Sequence, residues 1–130
     1  MKRLYRHAAA ALLLPAAAIA AEPSLFSLSV KDLPAENGKV LDMAFRETSR
    51  DPASSTVEIE RRSGGSVSSS MFIVRGACGV MTARGERFVV AERMAGTQER
   101  YLLTFPATAP AEGKGFSAEQ CGMVRQLLRY

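Results

Sequence analysis

The sequence predicts an α+β fold: an antiparallel sheet of about six strands, strongly curved or a partly open barrel, with a C-terminal helix tied on by a disulfide. Three observations predict it. Apolar and polar residues alternate with a period of two through most of residues 21–130. The pattern switches to a helical period only after Ser117. The two cysteines, Cys78 and Cys121, fall one in the alternating region and one in the helical stretch. A pure β-sandwich is the second choice.

The elements follow in order. Phe26, Leu28 and Val30 face one way while Ser27, Ser29 and Lys31 face the other, and Asn37-Gly38 marks the next turn. Leu41, Met43 and Phe45 form the apolar face of a second run. Asp51-Pro52 ends it, since proline lacks the ladder donor and restricts the residue before it. Val57 and Ile59 line a third run, which Gly64-Gly65 closes. The longest apolar run, Met71 to Ala83, reads as one long strand kinked at Gly76 or Gly79, where missing side chains allow a bulge. Arg84-Gly85 turns it into Arg87 to Arg93, with Phe88 and Val90 inward. Tyr101, Leu103 and Phe105 line the last strand after a turn at Gly96. Runs spaced this evenly, with turns between them, predict a meander. Pro106 to Gly115 has no period and reads as a loop. Ser117 with Gln120 three residues on has the spacing of a capping box. Cys121, Val124 and Leu128 then recur at helical intervals, over a helix weakened by Gly122.

The first residues set the compartment. Lys2, Arg3 and Arg6, with His7 when protonated, precede an apolar stretch from Ala8 to Ala20 broken only by Pro15, and Ala18-Ile19-Ala20 supplies small residues at a cleavage site. This is the layout of a secretory signal peptide over residues 1–20, with Ala21 as the one-residue alternative for cleavage. The stretch falls short of the ~20 apolar residues that span a bilayer. No cysteine lies near the cleavage site, which excludes lipid attachment there. Residues 21–130 then form a single small β-rich domain, periplasmic or secreted. An oxidising compartment favours a Cys78–Cys121 bridge, and a separation of 43 positions is unlike the close pairs of redox catalysts.

Charge and chemistry narrow the function. Three of the 17 basic residues leave with the signal, so the remaining domain is close to neutral. A near-neutral domain gives no electrostatic argument for nucleic acid, whose recognition normally shows a concentrated basic face, so no nucleic-acid partner is expected. The one histidine, His7, also leaves, which removes Ser-His-Asp and Cys-His catalysis and histidine-containing zinc sites. Calcium and phosphate loops are not matched, so neither a metal nor a cofactor is expected. A carboxylate pair is the remaining hydrolytic route. Glu92, on the same strand face as Phe88 and Val90, is the one acid placed for burial.

Two features suit binding. Gly64 to Met71 is a polar loop whose Ser66, Ser68, Ser69 and Ser70 offer adaptable hydrogen bonds. Arg84, Arg87 and Arg100 form a patch for an acidic partner or a phosphate head group if the strands bring them together. The expectation is a non-enzymatic protein-binding module of the bacterial envelope, of the inhibitor, adhesin or assembly-factor type, whose sheet edge at Phe26 to Val30 can also accept a partner strand. The alternative is a carrier of a lipid or another small apolar ligand, held between sheet and helix.

Overall fold

The computed structural model of the chain describes residues 24–35, 38–63, 67–96, 98–128 and 130. The signal-peptide stretch, Asn37, the Gly64-Gly65 pair and Ser66 lie outside the described residues. Within them the chain forms β1 (Ser27–Pro34), β2 (Val40–Arg50), β3 (Ser54–Arg61), α1 (Val67–Arg84), β4 (Phe88–Arg93), β5 (Arg100–Thr104), β6 (Phe116–Ser117) and α2 (Ala118–Leu127). The six antiparallel strands make one sheet, curled into a half-barrel, in the order β1-β2-β3-β5-β4-β6. Alternation in β1, β2 and β3 behaves as expected. Val30, Leu41, Met43, Phe45, Val57 and Ile59 are buried in one core.

The run Met71 to Ala83 is not a strand. It is the body of α1, and the reason is visible in its burial. Gly76, Ala77, Cys78, Gly79, Val80 and Met81 are six consecutive buried residues. The helix touches β2 and β4 on one side and α2 on the other. Over Gly76 to Met81 the helix is covered all round and needs apolar or small residues on every face, so this stretch carries no helical period. The two glycines make no bulge. A Cβ on Gly76 would overlap the ring of Phe45, and one on Gly79 the ring of Phe26. Both rings sit directly on the helix backbone, and they meet edge to face with centroids 6.0 Å apart.

Placing a helix here also replaces the meander. From β3 the chain crosses through α1 to β4, and β5 returns into the gap between them. Because β3 and β4 are each antiparallel to β5, they run in the same direction, and parallel neighbours of this kind need a long crossover.

The inward face of β4 is offset by one residue from the expectation. Val89 is fully buried, whereas Phe88 and Val90 keep partial exposure and Glu92 is exposed. Pairing with β5 decides this. Ala91 lies opposite Leu103, which is buried, and paired residues share a face, so Val89, two residues before Ala91, is buried on that face while Ala91 itself lies at its exposed margin. Three consecutive apolar residues, Phe88-Val89-Val90, fit either register.

The terminal helix forms as expected. Ser117 accepts a hydrogen bond from the Gln120 main chain, and the Gln120 side chain accepts one from the Ser117 main chain, a complete capping box. Cys121 and Val124 point into the protein. The disulfide joins Cys121 to Cys78 with Cα atoms 5.5 Å apart. It therefore ties helix to helix, since Cys78 lies on α1.

Candidate functional site

The residues singled out in the sequence are dispersed. Ser68, Ser69 and Ser70 are not in a loop; they make the first turn of α1, with Ser69 buried. The expected arginine patch does not assemble. Met94, just past the far end of β4, donates its N–H to the Arg100 carbonyl, and Arg87 precedes Met94 by seven positions. At ~3.3 Å per residue the two arginines are held about 20 Å apart. Arg87 is exposed beside the ring of Phe88, and Arg100 is bonded to Gln98.

Arg84 does something else. Its guanidinium donates to the carbonyls of Pro52 (2.9 Å) and Ser54 (3.3 Å) and to Ser55 Oγ (3.1 Å), and it lies 4.4 Å from the centre of the Phe105 ring. The side chain is nearly buried, with Nε 3.7 Å from Glu86. This arginine fastens the β2–β3 turn to the end of α1.

Ser55 leads to a carboxylate that the sequence reading passed over. Glu47 shares the inward parity of Leu41, Met43 and Phe45 on β2, and its side chain is fully buried. Arg50 grips it through Nε at 2.8 Å and Nη2 at 2.6 Å. Ser55 Oγ donates at 2.6 Å, and the Phe26 N–H at 2.9 Å. Burial alone would push the Glu47 carboxyl up. The hydrogen bonds from Arg50, Ser55 and Phe26 outweigh it and hold the group below the usual carboxylate range. The network ties the start of β1 to β2 and β3. Parity with its strand neighbours was the signal that marks Glu47.

An open apolar groove lies at the end of the domain where β1 finishes and both helices have an end. Its volume is about 300 Å³. Leu33, Pro34, Ala35 and Leu41 supply the sheet wall, Val67 and Met71 the α1 wall, and Leu127, Leu128 and Tyr130 the third side. Tyr130 is fixed there by its ring, 6.0 Å from that of Phe72, and by Arg75, which donates to its main-chain oxygen. Burial raises the pKa of the Tyr130 phenol, with Arg75 opposing, so that wall stays neutral at ordinary pH. Val67 and Leu127 stand on the rim, each 73 % exposed. Isolated exposed apolar residues are common, but two such side chains beside an apolar hollow are a feature of interaction surfaces.

The opposite face of the sheet is a solvated charge ladder in which Arg46, Glu60, Arg62 and Asp42 satisfy one another. Among the described residues, no helix is long and apolar enough to cross a membrane. Nor do three His, Cys, Asp or Glu residues gather where they could hold a metal ion. Compared with family models, with curated proteins and with solved structures, the chain matches none of them.

Proposed function

We propose that the protein is an exported, non-enzymatic binding module that takes a short apolar segment of another envelope or extracellular protein into the groove between β1, α1 and α2. The observation that carries this is the apolar groove itself, with Val67 and Leu127 exposed on its rim. Export is supported by the disulfide and by the layout of the first twenty residues. The lining side chains are apolar but for Ser68 and the Tyr130 hydroxyl and none is charged, which favours burial of side chains over chemistry on a polar group.

A small apolar ligand is the second reading, favoured by that same lining. Two observations weigh against it. The groove is at the bottom of the ~300–1,000 Å³ range of ligand pockets, and such pockets enclose most of their ligand. The apolar residues of Met71 to Ala83 that a carrier would need for its pocket go largely into the core packing of α1.

The test places a photo-crosslinking amino acid at Val67 or Leu127 in the native host. A discrete protein adduct at both positions is the expected result. Adducts only with lipid, or adducts equal to those from a control at Thr104 on the exposed end of β5, would overturn the reading.

A further inference from the structure

β1 is the first strand of the sheet, and its outer side has no neighbour among the described residues. Its hydrogen bonds can be assigned from the register. Glu47 donates its N–H to the Phe26 carbonyl at 2.8 Å, and the Phe26 N–H bonds the Glu47 carboxylate, so both main-chain groups of Phe26 face β2. Arg62 donating to Asp42 fixes the same phase on the other side of β2. Antiparallel strands alternate, so Leu28 and Val30 also direct their main-chain groups at β2. Ser27 and Ser29 therefore direct both N–H and C=O outward, toward the free edge.

Natural sheets block free edges with charge, proline or bulges. The second half of β1 follows that practice, with Lys31, a break in register at Asp32 (φ 51°) and Pro34. Ser24 to Val30 does not, having neither charge nor proline. At the other edge β6 covers only Phe88 and Val89 of β4, and the strand beyond it carries the charges of Glu92 and Arg93.

We infer that Phe26 to Val30 pairs antiparallel with the same segment of a second copy of this chain, joining two sheets across a two-fold axis. The occupant follows from the pattern. Outward main-chain groups pair only with outward groups, so the axis passes through a residue and never between two. Centred on Leu28, the pairing sets Ser27 against Ser29 in hydrogen-bonded positions, Leu28 against Leu28, and Phe26 against Val30. Apolar meets apolar on the core side, where Phe26 and Leu28 are left partly exposed in one copy. Serine meets serine outside, and no like charges oppose one another across the centre of the joint. An interface built on one short strand falls below the roughly 1,200 Å² of stable complexes, so the dimer is a weak one. This surface is distinct from the groove.

Sedimentation equilibrium of the chain from Ala21 onward, from about 10 µM to about 1 mM, covers the affinities expected of so small an interface. A monomer–dimer equilibrium is expected, with amide exchange at Ser27 and Ser29 slowing as the dimer forms. Ser29→Pro removes an outward N–H and no internal bond, so it should melt like the parent while dimerising at least about tenfold more weakly. Ser27→Lys, which adds an edge charge, should act alike. A chain still monomeric at the highest concentration overturns the inference, as does a dimer that Ser29→Pro leaves intact. Groove crosslinking is read separately, so either result stands without the other.

Discussion

Three glycines in helices separate two opposing effects at the residue scale. Replacing a helical glycine by alanine gains about 0.5–1 kcal/mol in propensity. At Gly122 an added Cβ meets nothing within 4 Å, so Gly122→Ala should raise stability by about that amount. At Gly76 the Cβ meets the ring of Phe45, which is fully buried and has nowhere to go. Overpacking costs of about 1–3 kcal/mol then exceed the gain, and Gly76→Ala should destabilise. Gly79→Ala should cost less, because Phe26 lies at the partly exposed sheet edge and can shift. Urea titrations rank the three, and Gly76→Ala at or above parental stability would refute the ring-on-backbone account. Glu47 gives a prediction in pH. Its folded pKa is depressed, so its contribution is complete above the ordinary carboxylate value of ~4.3. That contribution is lost as pH falls through the lower folded value. Glu47→Gln should cost about 2–3 kcal/mol at pH 7, by leaving Arg50 without its carboxylate. It should also flatten the fall in stability below pH ~4 that the parent shows. An unchanged acid slope in the variant would remove Glu47 from the explanation.

Elements differ in how far their sequences reveal them. β1, β2 and β3 are half-exposed, so one face must be apolar and the other polar, and the alternation survives in the text of the chain. α2 carries its own start signal in Ser117 and Gln120. α1 hides because its middle, Gly76 to Met81, is buried on every side, and an apolar run without a period is ambiguous between helix and strand. Length was the usable clue, since a run from Met71 to Ala83 exceeds the usual strand of about 4–8 residues. Long-range pairing hides as well: nothing in Phe88-Val89-Val90 tells which residue Leu103 will bring inward. Arg84 and Glu47 are legible only once β2, β3 and α1 have been brought together, because their partners come from separate segments. The disulfide belongs to this scale too. α2 has ten residues, too few to hold as a helix alone, and Cys121 binds it to α1. A closed loop of this length contributes up to roughly 4 kcal/mol. The double variant Cys78→Ala, Cys121→Ala should lose about 2–4 kcal/mol, read as a lower midpoint in thermal or urea unfolding. Both sulfurs belong to buried residues, so reductant should leave the folded protein oxidised and act only as it unfolds.

At the scale of the whole molecule, the groove exists because three separate ends meet. β1 ends at Pro34, α1 begins at Val67, and α2 ends at Leu127, and none of these segments is adjacent in sequence. That explains why the sequence pointed to serines and arginines for binding: polar residues stand out individually, whereas an apolar hollow is a property of the assembled fold. The arrangement also separates the groove rim from the core, which allows a sharp test of the proposed binding. Leu41 is buried and belongs to the core as well as the groove floor, so changing it would confound the two. Val67 and Leu127 are mostly exposed and make little of the core. Val67→Glu and Leu127→Glu should therefore change folding stability by no more than about 0.5 kcal/mol. Each places a charge on an apolar rim, and a partner's apolar segment would have to desolvate that charge to bind. Capture of the partner found by crosslinking should fall at least about tenfold in each variant, equivalent to about 1.4 kcal/mol. Glu58→Gln, on the charged outer face, should leave capture unchanged. If the two rim variants bind like the parent, the groove is packing slack and recognition lies elsewhere. If the outer-face variant alone loses the partner, the charge ladder is the binding surface.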